Sequence, residues 1–169
     1  MKLDFDLIKS TAQLLDCPMC SHVTMIPLHE EGAKVDYCPE CKGIWVDFAG
    51  EKEVLDIRPN VFTLDELTRL RKQYQPVATL EPVRYIHCPV CDELMNRKNW
   101  GSYSGVIVNR CDTHGTWYDD GKITKVRDYV ALGGVEYEKM RKYELGLDQL
   151  NRTLSSEIHR LEYGLKKSK

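Results

Sequence analysis

The spacing of apolar positions changes character along the chain. Around the first third, the short β-rich runs Val23 to Leu28 and Lys34 to Tyr37 flank Glu30-Glu31-Gly32, which predicts a hairpin. The same arrangement returns with Leu94 to Trp100 and Val106 to Arg110 on either side of Gly101-Ser102-Tyr103-Ser104-Gly105. Between the two lies a helical signal. Thr63 and Glu66 form a capping box, Leu64, Leu67 and Leu70 fall on one face, and Pro76 ends the element. Val77 to Glu81 with Pro82 then reads as an extended connection. From about Val135 the period is helical to the end. Met140, Tyr143, Leu147, Leu150, Leu154, Ile158, Leu161 and Leu165 recur every three or four residues, interrupted by Gly146 and Gly164.

Each hairpin sits between two pairs of metal-ligand residues. Cys17-Pro18-Met19-Cys20 precedes the first and Cys38-Pro39-Glu40-Cys41 follows it; Cys88-Pro89-Val90-Cys91 precedes the second and Cys111-Asp112-Thr113-His114 follows it. All seven cysteines are used, an odd number arranged in knuckles, which fits a disulfide framework badly. Two knuckles with four soft or borderline donors are the pattern of a tetrahedral zinc site, so the chain is expected to hold two Zn2+ ions. The repeat runs past the ligands, with Gly43-Ile44-Trp45-Val46-Asp47 matched by Gly115-Thr116-Trp117-Tyr118-Asp119. Proline and glycine suit tight knuckles, the tryptophans are expected to shield the metal, and Asp47 and Asp119 to cap helical segments Glu51 to Ile57 and Lys122 to Leu132. One spacer, Lys42, follows Cys41 and has no counterpart after His114; the longer reach of an imidazole would compensate.

Charge narrows the functional classes. The net charge is −2 over 169 residues, so no global basic field exists for nucleic acid or an anionic membrane. Residues 1–58 carry 6 basic against 11 acidic side chains, which makes the first ribbon a poor phosphate binder. A local basic and aromatic cluster, Arg97, Lys98, Trp100, Tyr103 and Arg110, stands in the second hairpin as a candidate ligand-binding or nucleic-acid surface. Strand alternation would split it between two faces. No apolar run reaches membrane-spanning length and no secretory leader is visible, so the chain is expected in the cytoplasm, where thiols stay reduced. Complete four-donor sites leave no open coordination position, and no nucleophile constellation, phosphate loop or cofactor fingerprint occurs; His22, His29 and His87 flank knuckles and read as surface residues. An enzyme is therefore not expected. Rubredoxin-like iron at the all-cysteine site and thiol redox sensing rank below structural zinc.

The run Tyr37-Cys38-Pro39-Glu40-Cys41-Lys42-Gly43-Ile44-Trp45-Val46-Asp47, with its Cys-Pro-x-Cys partner, resembles the transcription-factor-IIB-type zinc ribbon of bacterial proteins, here in two tandem copies. The second copy resembles a Cys-x-x-His-Gly-x-Trp-x-Asp variant, and Met95 to Trp100 and Ser104 to Val108 also fit that variant's hairpin. The resemblance implies a metal ribbon but no particular activity. It departs from the family at Glu51, which lies four residues after Asp47 where three is usual, and at Lys122-Ile123 in the second copy.

The expected protein is small and α+β. It has a first ribbon with its N-terminal extension over 1–58, a helical linker over 59–82, a second ribbon over 83–133 and an amphipathic helix over 134–169. Its expected role is that of a non-catalytic adaptor acting through a protein partner. The tail helix has three readings: folded back on the ribbons, paired in a homodimer, or seated in a partner's groove. The alternative function is a nucleic-acid-binding or transcription-associated one through the second ribbon.

Overall fold

The six strands among the described residues are short enough that none could stand without its neighbours. A computed structural model describes residues 14–30, 32–55, 63, 65, 66, 68, 69 and 83–167, with only the backbone for Glu30 and residues 161–167. Strands β1 (Ile26–Glu30), β2 (Ala33–Tyr37) and β3 (Ile44–Asp47) are followed by a single helical turn, α1 (Glu51–Val54). Strands β4 (Asn96–Asn99), β5 (Ile107–Arg110) and β6 (Gly115–Tyr118) lead into α2 (Lys122–Ala131) and α3 (Gly134–Lys167). The chain divides into two compact units. One comprises residues 1–56, 81–98 and 107–123, the other residues 57–80, 99–106 and 124–169.

In the first unit both ribbons belong to one sheet, in the order β1-β2-β3-β6-β5-β4. The junction is β3 against β6, antiparallel, with Ile44 opposite Tyr118, Trp45 opposite Trp117, Val46 opposite Thr116 and Asp47 opposite Gly115. Sequence reading finds the two hairpins but not these third strands, and it treats the ribbons as separate. The structure joins them edge to edge, which satisfies backbone groups that a lone three-stranded ribbon would leave open. Every side chain of β6 is buried, as expected of a central strand covered on both faces. One face of the sheet carries a core of Met25, Trp45, Ile86, Met95 and Trp117 together with Cys17, Cys38, Cys88 and Cys111.

The glycine and tryptophan of each repeat work across this junction. A Cβ built on Gly43 would lie 2.1 Å from the Trp117 ring, and one on Gly115 would lie 2.9 Å from the Trp45 ring. Each copy's tryptophan thus occupies the space that the other copy's glycine leaves open. In the second knuckle of the first ribbon the left-handed backbone falls on Lys42 (φ 58°) instead of Gly43.

In the second unit, the Thr63–Glu66 capping box forms as expected. Glu66 accepts from the Thr63 N–H at 2.8 Å, and the Thr63 hydroxyl accepts from the Glu66 N–H at 3.3 Å. Residues 65, 66, 68 and 69 are helical; Leu64, Leu67, Leu70, Pro76 and the extended connection lie outside the described residues. The turn between β4 and β5 holds the start of α3. Glu138 accepts from the Ser102 N–H at 2.6 Å and the Tyr103 N–H at 3.3 Å, and the Tyr129 hydroxyl lies 2.7 Å from it. Past Glu144 the helix continues to Lys167 with Leu147, Leu150, Leu154 and Ile158 exposed. Its 34 residues span about 50 Å. Among the described residues, no helix is long and apolar enough to cross a membrane.

Candidate metal centres

Both predicted donor sets converge. Cys17, Cys20, Cys38 and Cys41 place their sulfurs within 4.8 Å of one another, and so do the donor atoms of Cys88, Cys91, Cys111 and His114. A zinc ion with Zn–S arms of about 2.3 Å sits in a tetrahedron whose edges are about 3.8 Å. The Cys17–Cys41 and Cys91–Cys111 sulfur separations are 3.6 Å and 3.8 Å. His114 turns Nδ1 inward, 3.9 Å from the Cys88 sulfur and 3.5 Å from that of Cys111. The donors fit tetrahedral zinc at both centres, and their softness favours it over magnesium or calcium.

The knuckle backbones explain how so few residues hold these positions. In the first knuckles of each centre, amide N–H groups point at sulfur: Met19 and Cys20 donate to Cys17 at 3.4 Å and 3.3 Å, and Val90 to Cys88 at 3.4 Å. The second knuckles close with the same hydrogen bond, Cys38 N–H to Gly43 at 2.9 Å and Cys111 N–H to Gly115 at 2.9 Å. The second does so with one residue fewer.

In the metal-free chain, burial pushes the Cys17 and Cys88 thiols up to about 11 and Cys41 higher still. Burial also acts on Cys38 and Cys111, yet both fall below the usual thiol range. Amide donors from Cys41 and Glu40 outweigh it at Cys38. The Thr113 hydroxyl and amide and His114 bring Cys111 to about 6. At neutral pH the raised thiols carry protons that the metal displaces, so affinity falls as pH is lowered. Zinc titrated calorimetrically in two buffers of different ionisation enthalpy is therefore expected to release at least the protons of Cys17, Cys41 and Cys88; heats that do not depend on the buffer would refute this.

A second polar cluster, which sequence reading missed, ties the ribbons together on another face. Arg110 donates to both Glu51 oxygens, at 3.1 Å and 3.0 Å, and its guanidinium lies 4.4 Å from the centre of the Phe48 ring. Thr116 and Tyr118 donate to the same carboxylate at 3.0 Å and 2.6 Å. Glu51, displaced by one residue from the family spacing, thus serves as the anchor for three side chains of the second ribbon. The one signal for it in the sequence is that hydroxyl-bearing Thr116 and Tyr118 sit within an otherwise apolar strand. The expected side-chain cap at Asp47 does not form, since α1 has Gly50 at its N-cap with no side-chain cap hydrogen bond. Asp47 accepts from the Gly50 N–H at 2.6 Å, whereas Asp119 spends its carboxylate on the Trp117 indole at 2.9 Å and the Lys122 ammonium at 2.7 Å.

The five candidate ligand-binding residues have separate surroundings. Arg110 makes the ion pair just described, Trp100 meets Tyr129 edge-on with ring centroids 6.1 Å apart, and Tyr103 meets Tyr137 at 5.4 Å. On β4, Lys98 is exposed while Arg97 is half-buried at a cavity. Among the flanking histidines, His87 sits 2.6 Å from the Asp92 carbonyl through Nδ1.

With zinc bound, each centre is a closed four-donor cross-link that supplies folding free energy, on the order of 10 kcal/mol. Residues 16–51 match the family described as transcription factor zinc-finger, which covers the first ribbon up to Glu51. The second ribbon lies outside the matched residues and carries the second donor set. No curated protein and no solved structure matches the chain.

Proposed function

We propose that this zinc-ribbon protein is a cytoplasmic, non-catalytic adaptor that acts by binding another protein. The observation that carries this reading is the far part of α3. Tyr143, Leu147, Leu150, Leu154 and Ile158 are 69, 43, 54, 52 and 56 % exposed. They form one narrow seam at three- and four-residue spacing, the geometry by which a helix enters a groove or pairs with another helix. In proteins most helical stability comes from packing of an amphipathic face rather than from propensity. The donor-complete zinc centres add to the case, because they supply a rigid frame and offer no coordination position to a substrate.

The nucleic-acid reading has less support. Arg110 is committed to Glu51, and Trp100 and Tyr103 are packed on tyrosines. The test is in-cell crosslinking with mass spectrometry on the full zinc-loaded chain, beside Leu150→Asp/Leu154→Asp. A defined protein at comparable abundance is expected with the native chain and not with the double variant, both retaining two zinc ions. Light scattering distinguishes a second copy of the chain from a different protein. A monomer with no crosslinked protein above the double-variant background would end the adaptor reading.

A further inference from the structure

The two ribbons share a scaffold but differ where one face of the first unit opens into a cavity of about 380 Å³. Its walls include Arg84, Arg97, Asn109, Asp119, Asp120 and Lys122, beside the zinc ligand Cys41. Met25 and Met95 occupy equivalent core positions, so Arg97 in β4 corresponds to Pro27 in β1. Asn109 pairs with Trp117 as Asp36 pairs with Trp45, and Lys122 stands three residues after Asp119 as Gly50 does after Asp47. At these positions the duplication carries cations only in the second ribbon.

Two features of the interior go beyond what folding requires. Lys122 is only 5 % exposed, and its ammonium is held 2.7 Å from Asp119 and 2.6 Å from the Ile107 carbonyl. A buried ammonium costs free energy that an uncharged residue at this site, such as the glycine of the other copy, would not. Asn109 is 6 % exposed, and its side-chain carbonyl oxygen has no hydrogen-bond partner among the described residues. Leaving a buried acceptor unmet is uncommon, and in native structures such groups call for a specific explanation.

We propose that this cavity binds a small hydroxylated anion, a carboxylate or phosphate ester. The guanidinium groups of Arg84 and Arg97 would take the acid group and a ligand hydroxyl would donate to Asn109. Guanidinium pairs suit both acids through charge-assisted, bidentate hydrogen bonds. The hydroxyl meets the acceptor that the protein leaves unsatisfied. The site does not depend on the adaptor reading, since α3 takes no part in it.

Calorimetric titration of the full zinc-loaded chain with malate, glycerol 3-phosphate, inorganic phosphate and glycerol tests the assignment. Malate or glycerol 3-phosphate is expected to bind with a dissociation constant below the millimolar range, and which of them binds identifies the acid class. Phosphate alone and glycerol alone, each lacking half of the recognition, are expected to bind at least about tenfold more weakly. Arg97→Met should weaken the preferred anion by about tenfold or more. Asn109→Asp should do the same through charge repulsion, and it introduces the residue that the other ribbon already carries at this place. Lys98→Met, on the same strand but outside the cavity lining, should leave binding unchanged. Zinc content and circular dichroism report whether each variant is folded. The proposal is overturned if neither hydroxylated anion binds the native chain at millimolar concentration. It is equally overturned if the folded Arg97 and Asn109 variants bind as well as the native protein, or if glycerol binds as tightly as the anions.

Discussion

Cys38→Ser is expected to cost the protein both zinc ions and to unfold both ribbons in a single transition. The first step is local. Cys38 is fully buried and supplies one of four donors, and a serine hydroxyl is a poor substitute for a thiolate toward zinc. Structural zinc contributes roughly 10 kcal/mol or more in small domains, comparable to the whole stability of an ordinary domain, about 5 to 15 kcal/mol. The second step follows from the sheet. β3 is hydrogen-bonded to β6 along its whole length, and Trp45 and Trp117 lie in one core with the cysteines of both centres. If β3 melts, β6 becomes an apolar edge and Trp117 loses its packing against Gly43. Glu51, which anchors Arg110, Thr116 and Tyr118, would be displaced too. Zinc stoichiometry and the Trp117 indole resonance provide the measurement. One zinc retained per chain, with a folded Trp117 environment, would show that the ribbons are independent despite the shared sheet.

The sequence makes some of this architecture legible and conceals the rest, for identifiable reasons. The eight metal ligands stand out because donor chemistry allows few residue types, and knuckle geometry fixes their spacing. The hairpins stand out because Glu30-Glu31-Gly32 and the run Gly101 to Gly105 separate β-rich segments. The Thr63–Glu66 box is local, and it forms as written. The union of β3 with β6 is not local. Four-residue strands carry too little pattern to announce a pairing partner some seventy residues away. A trace was present. Ile44-Trp45-Val46 and Thr116-Trp117-Tyr118 lack the alternation of a half-solvated edge, and continuous burial is the mark of a central strand. Arg110 shows the opposite failure. Its type and position suggested a ligand contact, whereas the fold uses its charge to bind Glu51.

The repeat Gly-x-Trp leads to the second large effect, Gly43→Ala. A single methyl group there would approach the Trp117 ring to 2.1, 2.6 and 2.9 Å at three carbon atoms, all inside van der Waals contact. The obstacle is a fully buried indole whose nitrogen is tied to Asp119, so it has no free direction in which to move. Overpacking of a tight core costs about 1 to 3 kcal/mol, and a rigid neighbour puts Gly43→Ala at the upper end. The midpoint of thermal unfolding should fall by roughly 10 °C for a chain of this size. Gly115→Ala should behave alike, because its methyl would meet the Val46 carbonyl oxygen at 2.3 Å and the Trp45 ring at 2.9 Å. What separates this account from an ordinary loss of glycine flexibility is the coupling. Trp117→Leu removes the ring that the methyl would strike, so Gly43→Ala should cost less than about 1 kcal/mol in that background. Gly146→Ala is the internal control. It lies in α3 with nothing from other described residues within 4 Å, and it should stabilise the helix by up to about 1 kcal/mol whatever stands at position 117. Additive costs for Gly43→Ala and Trp117→Leu would show that the glycine serves its own knuckle, as the sequence alone suggests, and that the exchange of tryptophans between ribbons is incidental to stability.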